Sequence, residues 1–308
     1  MPIRNRPIIM LPALFVLGGC SIPGPTVSRA ERAEIESFIF DAPLDVGPTR
    51  LRGFRGGDES LPRVVYVHGT PGDALNWADF LVDPVAGTES VAFDRPGFGG
   101  SEPRGAVVRL SDQAKALEPL LERHSERGTI LVGHSYGAPV VVQAALQYPN
   151  RVDGIVLVAG SLDPALEKTL TIQKVGDSPY VRPLLPRWVQ NFNRELIFLE
   201  PELRTLQEQL GSLSLPIEIV HGTSDKQVPY SNVDFMQTAF TSEPTVTTID
   251  NGNHFVPWQN ADTIRAAVAR ILEQPPAVQP GRLTPAVVEP LPDENQPNRT
   301  PDESGSGD

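Results

Sequence analysis

Gly133-His134-Ser135-Tyr136-Gly137 follows an apolar run from Thr129 to Val132 and precedes a helix-period stretch from Ala138 to Gln147. Together these residues predict a strand, a tight turn with a serine at its apex, and a helix. Glycine two places before the serine and again two places after it suits a turn so sharp that a Cβ at either position would strike the neighbouring strand or helix. The serine backbone is expected to be strained, with its hydroxyl held clear of the sheet where a substrate reaches it.

Two later segments repeat the strand-then-loop arrangement. Pro216-Ile217-Glu218-Ile219-Val220 reads as a buried strand, and His221-Gly222-Thr223-Ser224-Asp225-Lys226-Gln227-Val228-Pro229 carries Asp225 into the loop beyond it. Thr245 to Asp250 alternates like a strand, and Asn251-Gly252-Asn253-His254-Phe255 delivers His254 in the same way. Serine, aspartate and histidine therefore come in that order, each just past a strand's C-terminal end. Short β-branched runs at 64–68, 90–94, 129–133, 153–159 and 216–220 alternate with helix-period stretches at 75–85, 110–123, 138–147, 231–240 and 260–272. Strands buried on both faces and separated by helices indicate a mainly parallel sheet in an α/β domain. Ser37-Phe38-Ile39-Phe40 and Leu51-Arg52-Gly53-Phe54 are expected to add antiparallel edge strands.

On these residues the chain resembles the α/β-hydrolase superfamily, from about Ile35 to Leu272. Val64-Val65-Tyr66-Val67 followed by His68-Gly69-Thr70-Pro71-Gly72 is similar to that family's third strand and oxyanion loop. Ser90-Val91-Ala92-Phe93-Asp94 followed by Arg95-Pro96-Gly97-Phe98-Gly99-Gly100-Ser101 is similar to the next strand and its loop. The resemblance implies a mainly parallel α/β-hydrolase sheet flanked by helices, with a small helical cap inserted after the sixth strand, at about 161–214. The connection there is far longer than the loops of a compact sheet. It holds amphipathic pieces at 187–192 and 195–199, with 201–210 continuing helically. Trp188, Phe192 and Phe198 are expected to pack within the cap, with one or two lining an acyl pocket.

The same resemblance implies the chemistry. Ser135 is the expected nucleophile, His254 the base that takes its proton, and Asp225 the residue that orients the imidazole. Asp163 competes for the acid role, since some members of the superfamily carry it after the preceding strand. It also reads as the cap of a helix starting at Pro164, and Asp225 is preferred. The backbone N–H groups of Thr70 and Tyr136 are the expected oxyanion donors, because Pro71 has none to offer. His68 is expected to matter for its backbone turn rather than its ring, and His134, His221 and His124 are read as structural. Arg182, Arg187 and Arg194 are read as solvated surface or as ion pairs with Glu195, Glu200 and Glu202, in preference to recognition of an anionic substrate.

No HExxH or paired-ligand spacing suggests a metal, no GxGxxG follows the first strand, and the chemistry calls for no cofactor. The expected activity is a serine hydrolase cleaving small acyl esters through an acyl-enzyme. The alternatives are a cofactor-free perhydrolase, a carbon–carbon bond hydrolase on the same scaffold, or a non-catalytic binding protein of the cell envelope.

The ends read differently from the centre. Arg4 and Arg6 precede an apolar run from Ile8 to Leu17, too short to span a bilayer but suited to a signal peptide. It stops at Leu17-Gly18-Gly19-Cys20, which looks like a bacterial lipoprotein signal over residues 1–19, with Cys20 lipidated and anchoring the protein to a membrane of the envelope. Cys20 is the only cysteine, so no internal disulfide is possible. Residues 20–34 read as a tether and 273–308 as a proline-rich acidic tail too polar to order itself. That tail holds seven acidic residues and two arginines, −5 of the formal −12. An acidic chain of this kind argues against nucleic acid as a partner.

Overall fold

The computed structural model describes residues 24–121 and 127–275. Cys20, the expected signal peptide, His124 and the tail from residue 276 lie outside the described residues.

Eight strands form one sheet: β1 (Glu36–Leu44), β2 (Gly47–Gly56), β3 (Arg63–Val67), β4 (Glu89–Phe93), β5 (Thr129–His134), β6 (Val152–Val158), β7 (Ile217–Gly222) and β8 (Thr245–Ile249). Their order is β1-β2-β4-β3-β5-β6-β7-β8, with β1–β2 and β2–β4 antiparallel and every other pair parallel. The helices are α1 (Arg29–Glu34), α2 (Ala78–Val82), α3 (Leu110–Lys115), α4 (Gly137–Gln147), α5 (Thr171–Gly176), α6 (Arg187–Gln207), α7 (Ser231–Ala239), α8 (Val256–Gln259) and α9 (Ala261–Glu273). This is the α/β-hydrolase fold.

Alternation along the strands divides the core in two. Val65, Val67, Val91, Phe93 and Leu131 face one side and pack with α3, α4, α6 and α7. Val64, Tyr66, Ala92, Ile130 and Val132 face the other and pack with Trp77, Phe80 and the apolar side of α9. Successive residues of a strand point to opposite faces, so an uninterrupted apolar strand requires helices on both.

Several expectations need correction. The edge strands are about twice as long as expected, and Pro43 sits opposite Pro48 in the β1–β2 pairing. Proline is tolerated there because β1 is the outermost strand and its missing N–H leaves no inner ladder broken. The stretch 75–85 opens as a 3-10 turn at Ala74–Trp77, capped by Asp73, before α2 begins. The stretch 110–123 divides into α3 and a 3-10 turn at Glu118–Leu121. Asp163 caps only a single turn, accepting from Ala165 N at 2.8 Å, and no helix starts at Pro164.

Part of the expected tether is docked. Thr26 donates to Asp79 through its amide and hydroxyl (both 2.8 Å), and Val27 N adds a bond of 3.0 Å. Ser28 and Glu31 then close a capping box at the start of α1.

The segment between β6 and β7 is helical, and the three expected pieces after Pro186 form one helix, α6, with Pro201 inside it. Proline cannot donate to the carbonyl four residues back. That carbonyl, Ile197 O, faces the Thr169 hydroxyl at 3.4 Å instead.

Candidate active site

The serine turn sits where β5 meets α4. Ser135 has φ +54°, in the left-handed region that costs a non-glycine residue about 1–2 kcal/mol. Neighbouring backbone holds it there: Ser135 N donates to Val158 O at 3.0 Å, and Ser135 O accepts from Ala138 N at 3.0 Å. Both glycines of the motif are sterically required. A Cβ on Gly133 would lie 2.4 Å from Gly137 O, and one on Gly137 would lie 2.3 Å from Val67 O. The Ser135 hydroxyl makes no hydrogen bond among the described residues, and the residue is only partly buried.

The 68–72 loop leans against this turn, so that a Cβ on Gly69 would fall 2.9 Å from Ser135 Cβ. Neither Thr70 N nor Tyr136 N donates a hydrogen bond among the described residues, leaving both expected oxyanion donors free.

Asp225 and His254 meet in the folded chain. His254 Nδ1 is 2.7 Å from Asp225 Oδ2, while Asp225 Oδ1 accepts from Gln227 N (2.8 Å) and Val228 N (2.9 Å). Burial pushes the Asp225 carboxyl up, but the bond and charge of His254 and these two amides outweigh it and hold the group below its ordinary value. A close approach of two loops makes the pair possible: a Cβ on Gly222 would lie 2.3 Å from Gly252 O. Among the described residues Asp163 makes no hydrogen bond or ion pair with His254; its amide donates to Asn232 Oδ1 at 2.9 Å, and its carboxylate caps its own turn.

His134 links the serine turn to the histidine loop. Its Nε2 is 3.0 Å from the His254 carbonyl, and the two rings are 4.8 Å apart. A bond to a carbonyl requires Nε2 to carry the proton, and burial with His254 close by lowers the His134 pKa to about 3. His221 plays a like part in the acid loop, with Nε2 3.0 Å from Val228 O. Each ring is thus tied to a backbone carbonyl.

The His68 ring does more than expected. Nδ1 is 2.7 Å from Gly69 O, and Nε2 accepts from Arg95 N at 3.0 Å, which fixes a neutral tautomer protonated on Nδ1. Burial first, and then the Arg95 charge, hold its pKa well below the usual value.

Sequence reasoning missed the group that organises this end of the site. Arg95 is fully buried and donates to His68 O (Nε, 2.9 Å) and Gly69 O (Nη2, 3.0 Å). It pairs in fork geometry with Glu195 of α6, at 2.7 and 3.1 Å, and its guanidinium lies 4.7 Å from the centre of the Tyr136 ring. Glu195 is also fully buried and accepts from Gln113 Nε2 at 3.0 Å. One buried cation thus fastens the 68–72 loop, the residue after Ser135 and helix α6 together. The Asp94 carboxylate builds the loop around it, accepting from Ala74 N and Gly100 N and pairing with Arg52. Glu195 is therefore not a surface partner of Arg182, Arg187 or Arg194. Arg182 and Arg194 lie near Asp177 at 3.5 and 3.7 Å, Arg187 donates to Gly99 O, Glu200 pairs with Arg204, and Glu202 accepts from Leu110 N.

Residues 62–197 match the model of the alpha/beta hydrolase fold family. Over 118 residues the chain is 37% identical to the dihydrolipoyllysine-residue acetyltransferase component of the acetoin cleaving system of Cupriavidus necator, a match covering 37% of this chain and 30% of that one. Over 189 residues it is 30% identical to epoxide hydrolase A of Mycobacterium tuberculosis, covering 56% and 55%. The chain thus spans about half or less of the length of these two curated relatives. Among solved structures it is similar to a membrane phospholipase A described as a bacterial virulence factor, with a TM-score of 0.60 at 21% identity, over 80% of this chain and 90% of that one. At that identity the likeness shows the fold.

Proposed function

We propose that this chain, whose residues 62–197 match the alpha/beta hydrolase fold family and whose sheet has that fold, is a serine hydrolase cleaving small acyl esters, with Ser135, His254 and Asp225 as its triad. The observation that carries this reading is the 2.7 Å bond from His254 to Asp225, on a histidine whose carbonyl is tied through His134 to the turn bearing Ser135. Ser135 Oγ attacks the ester carbonyl carbon and its proton passes to His254 Nε2, while Asp225 holds the ring and balances the imidazolium. The oxyanion points to Tyr136 N–H and Thr70 N–H, each worth about 3–4 kcal/mol in comparable hydrolases. Collapse expels the alcohol, which takes the proton from His254, and leaves an acyl group on Ser135. Water, deprotonated by His254, then adds to that carbonyl and releases the acid. On this reading the segment between β6 and β7 is the cap over the substrate.

The test is hydrolysis of short-chain acyl esters beside an epoxide, which the curated relative's name makes the informative competitor. Esters are expected to turn over and the epoxide is not. Asp225→Asn should lower ester turnover by about ten-thousandfold through the wrong imidazole tautomer, and Asp163→Asn should change it little. Turnover of the epoxide alone, or greater damage from Asp163→Asn, contradicts the assignment.

We also propose that Cys20 is lipidated and anchors the protein to a membrane of the cell envelope. A single acyl chain gives only marginal retention, and a fully acylated N-terminal cysteine supplies several. The mass of the N-terminal peptide from membrane-extracted protein decides this: an unmodified Cys20 removes the anchor.

A further inference from the structure

Nine large apolar side chains are conspicuously exposed among the described residues, and six of them fall within residues 172–198: Ile172, Val175, Tyr180, Leu184, Trp188 and Phe198. Tyr180 and Leu184 stand out furthest, at 86% and 81% exposed. The six belong to the outer side of α5, the following turns and the first twelve residues of α6. The inner side of the same elements is committed: Gln173, Asn191, Asn193, Glu195 and Leu199 are buried, and Asn193 Nδ2 ties α6 to Gln173 O at 2.8 Å. Single exposed apolar residues need no explanation, but a concentration in one short segment does.

The charge of this segment is opposite to that of the chain. Residues 168–194 contain Lys168, Lys174, Arg182, Arg187 and Arg194 and a single carboxylate, Asp177, a formal net of +4 within a chain of −12. Asp177 lies near Arg182 and Arg194, whereas Lys168 and Lys174 are exposed and make no ion pair or hydrogen bond among the described residues.

We propose that this face docks on an anionic phospholipid surface, with Ile172, Val175, Tyr180, Leu184 and Trp188 entering the headgroup and acyl boundary and Lys168 and Lys174 meeting lipid phosphates. Aliphatic and aromatic side chains flanked by cations are what an interfacial segment requires. The shape also favours lipid over a protein partner. Tyr180 and Leu184 project from short turns broken by Pro179, Pro183 and Pro186, and a fluid surface accepts such projections where a protein must supply matched pockets. The contact is separate from any anchor at Cys20 and holds whether or not Ser135 is the nucleophile.

The sole native cysteine allows a local probe on the full-length chain. Cys20→Ser with Leu184→Cys, labelled with a polarity-sensitive nitrobenzoxadiazole, is mixed with phosphatidylcholine vesicles with and without phosphatidylglycerol. A blue-shifted, brighter emission is expected only with phosphatidylglycerol present, and a probe at Val46→Cys, in the β1–β2 turn, should not respond. Adding Lys168→Glu and Lys174→Glu should lower the partition constant read at position 184 at least about twentyfold, at roughly fivefold per cation near an anionic surface. No response at 184, an equal response at 46, or indifference to the two lysines overturns the proposal. A response that grows with protein concentration in the absence of vesicles also overturns it, by making the face a contact between copies of this chain.

Discussion

Ser135→Ala is expected to lower turnover of an acyl ester by about a millionfold, the scale on which serine hydrolases respond to loss of the nucleophile. The same variant should lose covalent labelling by fluorophosphonates, since Ser135 is the one hydroxyl residue with a left-handed backbone among the described residues. Its fold should survive, because Ser135 Oγ makes no hydrogen bond among the described residues and the site is only partly buried. Alanine inherits the φ of +54° and gains nothing in backbone strain. Ser135→Gly removes that strain as well, and should be more stable than Ser135→Ala by about 1 kcal/mol while equally inactive. Titration with a fluorophosphonate probe and urea unfolding of the two variants check both halves. Retained labelling in Ser135→Ala would move the nucleophile elsewhere, and equal stability of the two variants would show that the turn is not strained.

The serine turn was legible because its signals are local. Gly133 and Gly137 are excluded from other identities by backbone within a few residues or in the adjacent strand, and an apolar strand followed by glycine and a helix-period stretch is visible in one window. The loops that deliver Asp225 and His254 were found for the same reason. The lengths of β1 and β2 were not, because they carry Pro43 and Pro48, which cannot donate to a ladder and so mark the end of a strand in a linear reading. The unity of α6 was hidden by Pro201, whose cost is met by Thr169, a residue from outside the helix. Arg95 and Glu195 lie one hundred positions apart. In a linear reading one is a polar residue in a glycine-rich loop and the other an acid on an amphipathic helix among arginines. Neither pattern reveals that burial singles out this arginine over Arg194, the residue immediately before Glu195. The role of the His68 ring was missed with them, since one of its two bonds is to Arg95.

Arg95→Met should destabilise the protein by about 3–5 kcal/mol at pH 8, because it strands the Glu195 carboxylate in the interior with Gln113 as its remaining partner. It also frees the carbonyls of His68 and Gly69, which Arg95 now holds, so the loop bearing Thr70 should loosen and turnover should fall as well. The pH dependence identifies the cause. Burial already raises the Glu195 pKa, and Arg95 opposes that rise. Without the guanidinium the group rises further, so the folded variant holds a proton that the unfolded chain gives up above the ordinary carboxyl range. A state that binds more protons when folded gains stability as pH falls. The gap between the parent and Arg95→Met should therefore be widest at pH 8 and narrow toward pH 5. Adding Glu195→Leu removes the stranded charge and should recover much of the loss at pH 8, as replacement of buried ion pairs by apolar groups does elsewhere. Urea unfolding of the full chain at the two pH values reads all of this. A gap that does not change with pH, or a double variant no more stable than Arg95→Met alone, would place the cost in lost packing of the guanidinium against Tyr136 and Phe98 rather than in the orphaned carboxylate.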